Sequence, residues 1–210
     1  MHEEMQQSSS EACASLTRSP CTEVRRYAVV ALTNLTFGNA HIKSFLCSFS
    51  GFVPIMVAQL RSSTSESLLK ATAHLFRNLA WKADKSSKQT LAESNVVIVL
   101  MHAAMSSNSN NGQNEAKEEP TLKVILSALW NLSAHCRKNK VSILFFRGMG
   151  QGLIMHHVFF QADICSMNGA LAFLVALLRH KSPAIVENGG GILRNISSFI
   201  ATSPEGESYR

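Results

Sequence analysis

Apolar residues recur along much of this chain at steps of three and four, the spacing of helices with one buried face. Val24, Ala28, Ala31, Leu32 and Leu35 set the pattern, introduced by Pro20 and Thr22 and ended by Gly38 and Asn39. The same reading predicts a short helix over 41–49, a break at Ser50-Gly51 and a second helix over 52–61. A polar turn, 62–67, then leads into a third helix over 68–81. This short-long-long rhythm returns over 84–93, 95–105 and 121–134. Further on, 169–179 reads as a helix, and Glu187-Asn-Gly-Gly-Gly191 as the lead into a last one over 192–201. Residues 1–21, rich in Ser, Glu and Gln, have no apolar period and read as a disordered lead-in.

Four of these helices carry copies of one phrase: Ala31-Leu-Thr-Asn-Leu-Thr36, Leu75-Phe-Arg-Asn-Leu-Ala80, Ala128-Leu-Trp-Asn-Leu-Ser133 and Ile192-Leu-Arg-Asn-Ile-Ser197. Their asparagines lie 44, 53 and 64 residues apart, counting 34 to 78, 78 to 131 and 131 to 195. A period of about 40–47 residues marks helical solenoids of the armadillo and HEAT kinds. The first interval fits, and the other two hold extra chain. The expectation is an all-α, right-handed superhelical array of about three to four partial repeats over 22–203.

The middle interval holds its excess in 106–120, whose Ser, Asn and Glu content predicts a solvated loop. The last interval shortens to 64 − 21 = 43 when residues 141–161 are lifted out. The join would then read Asn139-Lys140-Ala162-Asp163-Ile164-Cys165, a suitable first helix of a repeat. Val141-Ser142 is compatible with a splice-donor sequence, and Val158-Phe-Phe-Gln161 with a pyrimidine-rich acceptor. We therefore read 141–161 as an inserted segment and a retained in-frame intron; a transcript shorter by those 21 codons is the observation that checks it. Residues 204–210 read as the cut-off start of a further repeat.

Composition narrows the function. Apolar residues make up 46% of the 210 and charged ones 16%, with a net charge of +6. Lys and Arg are scattered rather than blocked, which argues against nucleic acid and for acidic protein partners. Five cysteines without a C-x-x-C pair predict free thiols in a cytoplasmic setting. No apolar run reaches the length of a membrane span. The eight histidines form no metal-ligand spacing, and nothing brings a nucleophile and a base together. No enzyme, cofactor, metal or small-molecule substrate is expected. The Asn-x-Ser/Thr matches at Asn34, Asn131 and Asn195 are too short a pattern to carry glycosylation.

The repeated Asn carries the functional signal. Third helices of stacked repeats line one concave surface, and an amide offers both a donor and an acceptor to a bound peptide backbone. Arg77 and Trp81, four apart, share a face and add a carboxylate partner and a stacking surface.

Several stretches resemble the armadillo-repeat domain of the adenomatous polyposis coli family. They are Val24-Arg-Arg-Tyr-Ala28 with the phrase through Gly38, Ser127-Ala-Leu-Trp-Asn-Leu-Ser-Ala-His-Cys136, Gly169-Ala-Leu-Ala-Phe-Leu-Val175 and Gly189-Gly-Gly-Ile-Leu-Arg-Asn195. The resemblance covers about 22–140 and 162–203, and residues 141–161 have no counterpart in it. It implies a groove for extended peptides at Lys43, Arg77, Asn78, Trp81 and Asn131, a row that the repeated phrase extends to Asn34, Trp130, Arg194 and Asn195. It further implies negative regulation of Wnt signalling through the β-catenin destruction complex, with partners among Wnt-pathway and cytoskeletal regulators. A cytoplasmic place near the cytoskeleton or cell cortex goes with it. The family's β-catenin- and microtubule-binding segments lie outside this domain. The alternative is an importin-like nuclear-import adaptor for basic peptides. Such adaptors repeat Trp-Asn pairs beside acids, whereas this chain has one pair, Trp130-Asn131, and Arg precedes Asn at two other positions.

Overall fold

A computed structural model describes residues 2–109, 115–134, 136–144 and 169–202. Regular structure among them is all helical. In chain order the helices are α1 (His2–Leu16), α2 (Thr22–Thr36), α3 (Ala40–Ser48), α4 (Phe52–Ser62), α5 (Glu66–Ala80) and α6 (Lys85–Glu93). Then follow α7 (Val96–Ser109), α8 (Glu115–Ser133), α9 (Arg137–Leu144), α10 (Ala170–Leu177) and α11 (Pro183–Thr202). They form three-helix repeats, α3-α4-α5, α6-α7-α8 and α9-α10-α11, preceded by the pair α1-α2; the first helix is the shortest in the first two, while α9 and α10 are both 8 residues long.

The third helices α2, α5, α8 and α11 stack in succession, and these are the most extensive helix–helix contacts in the described chain. One apolar core runs through all repeats, from Ala14 through Leu32, Phe52, Phe76, Leu100 and Leu129 to Phe199. Local chemistry places the helix starts. The side chains of Asn39, Ser65 and Asp84 accept from the backbone N–H groups of Ile42, Leu68 and Ser87, each satisfying an otherwise orphaned donor. Gly51, at φ 74°, makes the left-handed turn that folds α4 back on α3. The repetition extends to the backbone: the residues closing α2 and α5, Phe37 and Trp81, have φ/ψ of −66°/116° and −67°/115°.

Four expectations change. The first 21 residues are not a disordered lead-in throughout, because α1 occupies 2–16. It packs on α2 and touches α3, as α7 packs on α8 and touches α9. Its buried face is Ser10, Ala14 and Thr17 with Cys13 beside them, helical spacing written in small residues instead of large apolar ones. The hydroxyls of Ser10 and Thr17 donate to the carbonyls of Gln6 and Ala14, so their burial leaves no orphan. Second, the ends of the 106–120 loop are helical. α7 reaches Ser109 and α8 starts at Glu115, where Glu and Lys favour helix and Glu119 pairs with Lys123 at 2.7 Å.

Third, α9 runs through Val141–Leu144, the start of the segment assigned to the insertion. Ile143 is fully buried there and Leu144 nearly so. Val141-Ser-Ile-Leu144 repeats the pattern of Ala162-Asp-Ile-Cys165, with Ile third in both. The first helix is therefore completed by the near copy, and an excess of the same length corresponds to 145–165. The rest of 141–161, the Ala162–Cys165 stretch and 204–210 lie outside the described residues. Fourth, Gly189–Gly191 do not precede the last helix but lie inside α11. Glycine costs about 1 kcal/mol in a helix relative to alanine. Packing overrides that cost, since a side chain at Gly189 would press on Leu177 and one at Gly191 would collide with Trp130.

Candidate functional site

The stacked third helices bring the phrase asparagines into one register, and the geometry divides each amide between two tasks. Asn78 Nδ2 donates to Thr33 O at 2.9 Å, and Asn131 Nδ2 to Arg77 O at 3.1 Å. Asn195 Nδ2 donates to Ser133 Oγ at 2.9 Å and, at 3.4 Å, to Trp130 O. In every case the accepting carbonyl belongs to the residue just before the equivalent Asn of the preceding repeat. The amide nitrogens therefore tie one third helix to the previous one. The amide oxygens of these three residues accept no hydrogen bond within the described chain. None of them is fully buried either, because the one buried side-chain polar atom left without a partner among the described residues is Asn139 Oδ1. They are left without a donor inside the described chain, with Asn131 and Asn195 half-buried and Asn78 buried, and each Nδ2 keeps a second proton to donate. Asn34 has no described third helix before it; its side chain is exposed and makes no bond within the described chain.

The remaining candidate residues fall in two groups. On α5, Arg77 is half-buried, while Trp81 closes the helix and is 56% exposed. Lys82 Nζ lies 5.8 Å from the Trp81 ring centre. Lys43, carried by α3, is buried, and its ammonium donates to Trp81 O at 2.9 Å. It thus holds the C-terminal end of α5, where the helix dipole favours a cation. Burial, then the positive charge of Lys82, holds its pKa below the usual lysine value. On α8 and α11, Trp130 and Asn131 are half-buried, Arg194 is exposed and Asn195 half-buried. Eight of the nine residues thus lie on the third helices or at their ends, whereas Lys43 sits on α3 and acts within the fold, and Asn78 is largely covered.

Beside the expected Trp81, several residues in the same register escaped the reading of the sequence, Phe37 and His74 among them. Position four before the Asn holds Val30, His74, Ser127 and Gly191; position three after it holds Phe37, Trp81, Ala134 and Ser198. Phe37 is 78% exposed, a large apolar side chain equivalent to Trp81. His74 is half-buried, and burial, Arg77 and Lys70 in that order hold its pKa below the usual histidine value. Counting from each Asn in the aligned phrases was the signal available for all of them. Among the described residues no three of His, Cys, Asp and Glu gather as metal ligands. Cys13, Cys21, Cys47 and Cys136 are free thiols. No single described helix is long and apolar enough to cross a membrane.

No family model matches the chain. The human adenomatous polyposis coli protein is 47% identical over 186 residues, which span 87% of this chain and 6% of that protein. The rat protein matches to the same extent. Human adenomatous polyposis coli protein 2 is 42% identical over 200 residues, 93% of this chain and 7% of its own length. The chain thus spans about one-sixteenth of the relatives it matches. An engineered protein solved by the Northeast Structural Genomics Consortium superposes with a TM-score of 0.69 at 18% identity, covering 94% of this chain and 39% of its own. SYS-1 superposes at 0.61 and 13% identity, covering 92% and 30%. At these identities the two structures speak for the fold alone. Stacked three-helix units, an asparagine in register on each third helix and this level of identity lead to one family: the chain is an armadillo-repeat array of the adenomatous polyposis coli type.

Proposed function

We propose that the concave row of third helices docks extended, acidic segments of partner proteins, and that the chain works as a non-enzymatic scaffold. The observation that carries this reading is the electrostatics of the second repeat. The charges that act on His74 are those of Arg77 and Lys70, and the one that acts on Lys43 is that of Lys82. Two buried or half-buried titratable groups therefore sit in a surplus of positive charge, which a ligand carboxylate relieves. Amide oxygens at regular steps, left without a donor inside the described chain, meet the N–H groups of an extended backbone, and Trp81 offers a stacking face. Relation to the adenomatous polyposis coli proteins extends the proposal to a cytoplasmic scaffold in negative regulation of Wnt signalling, with cytoskeletal partners. Segments of the relatives beyond this chain would carry their other contacts.

Fluorescence anisotropy with labelled, end-capped peptides tests the reading. A peptide of alternating Glu and Ala is expected to bind, and its Lys-Ala counterpart is not. Arg77→Ala is expected to weaken the acidic peptide about tenfold, the value of one charge-assisted hydrogen bond. Preference for the Lys-Ala peptide would instead favour an importin-like adaptor, and equal binding of both would overturn the groove. A carboxylate docked beside His74 raises its pKa, so binding takes up a proton. Affinity for the Glu-Ala peptide is therefore expected to rise as pH falls through the range in which His74 takes up its proton, and His74→Ala to remove that dependence.

A further inference from the structure

Gly191 stands alone in its row. Four residues before each phrase Asn, the other third helices carry the side chains of Val30, His74 and Ser127, whereas α11 carries none. That space is filled by a residue of the preceding repeat. A Cβ built on Gly191 would lie 2.3 Å from Trp130 Cε2 and 2.6 Å from both Cδ2 and Nε1. Atoms of the pyrrole ring and of the ring fusion are all that close, so the indole lies against the α11 backbone where a side chain would be. Real carbon atoms do not approach to that distance, and any substitution must move the ring. The same junction is tied by Asn195, through Ser133 Oγ and Trp130 O. Trp130 Nε1 has no hydrogen-bond partner within the described chain and is not fully buried. Its N–H is thus left without an acceptor inside the described chain.

We infer that Gly191 is a specificity-determining position of the groove: by lacking a side chain it seats the Trp130 indole in the row, where the indole N–H donates to a carbonyl or carboxylate of the bound peptide. The inference rests on the groove reading above. It assigns the junction of α8 and α11 to an acceptor group on the ligand. It also explains why a glycine is kept inside a long helix: the indole needs the room.

The test uses the full chain and the labelled Glu-Ala peptide. Trp130→Phe keeps a ring in the seat but removes the N–H, and is expected to weaken binding about tenfold. Gly191→Ala is expected to weaken it by a similar factor. In a Trp81→Phe background, where Trp130 is the one remaining indole, Gly191→Ala should also shift the emission maximum. A double-mutant cycle separates the seat from general helix effects: if Gly191 makes room for the indole, the loss of thermal stability in Gly191→Ala disappears when Trp130 is also Ala. That cycle still decides the matter should Gly191→Ala alone fail to fold, because Gly191→Ala with Trp130→Ala would then restore folding. Unchanged affinity in Trp130→Phe, or unchanged emission and affinity in Gly191→Ala, overturns the inference while leaving the groove intact, provided Arg77→Ala weakens binding. If Arg77→Ala has no effect either, the groove reading itself falls.

Discussion

Asn34 and Asn78 occupy the same place in two copies of one phrase, yet their environments differ. Asn78 bridges to Thr33 O and is nearly buried; Asn34 is exposed and bridges to nothing described. Asn78→Ala is therefore expected to lose about 1 kcal/mol of stability, since the tie between α2 and α5 is lost and Thr33 O keeps only the Thr36 hydroxyl as a side-chain donor. Asn34→Ala should stay within about 0.5 kcal/mol of the parent, as surface changes do. Paired urea melts check the contrast, and equal midpoints would refute the assignment of the amide nitrogens to interhelix ties. It follows that Arg77, not Asn78, is the cleaner probe of docking, because loss of Asn78 disturbs both fold and groove. The phrase made these positions legible. Its spelling could not show that the amide faces two ways, because the accepting carbonyl belongs to a helix 45 or more residues earlier.

At the scale of elements, α2 through α7 and α10 start within two residues of where the sequence marks them, whereas α8 and α11 start six and nine residues earlier. Asp84 caps α6, accepting from Ser87 N at 2.8 Å and from the hydroxyls of Ser87 and of Ser44 in the preceding repeat. The Ser44 hydroxyl, then the Ser87 N–H, holds its carboxyl down at about 2, against an ordinary value of 3.8. A depressed carboxylate pKa means that the unfolded chain binds more protons in this window. The contribution is therefore complete above the ordinary value and lost as pH falls toward 2. Asp84→Ala is expected to cost about 1 kcal/mol at neutral pH. Acid titrations of unfolding should also show a shallower loss of stability for this variant between pH 4 and 2. The element that sequence periodicity missed is α1. Its inward residues are Ser10, Ala14 and Thr17, and such residues score as polar or neutral while packing as a smooth face. Ala14→Asp would place an unpaired charge at a position 2% exposed, and should detach α1 without unfolding the later repeats. Hydrogen exchange would register that as protection lost in 2–16 alone.

For the whole molecule, each repeat touches chiefly its neighbours, so added chain between the helices of a repeat is tolerated if the helices themselves are complete. Two excisions follow from the near duplication of Val141-Ser-Ile-Leu144 and Ala162-Asp-Ile-Cys165. Removing 145–165 keeps the α9 described here, whereas removing 141–161 replaces it with the second copy; both leave an Ile at the fully buried third position. Either variant is expected to fold and to gain about 1–2 kcal/mol, from the shorter connection between α9 and α10. Thermal melts check this, and collapse of either variant would show that the connection supports the core. Sequence by itself determined the helical class, the repeat length, the extra chain in the second and third intervals and the register of the asparagines. These depend on periods of three to four and of about forty residues, which are properties of local order along the chain. Tertiary structure decided the rest: that small residues at the start form a helix against α2, that the near copy completes α9, and that three glycines stay helical, Gly189 against Leu177 and Gly191 against an indole. Each of those choices turns on which surface a neighbour presents, and that neighbour lies in another helix, in several cases one from the preceding repeat.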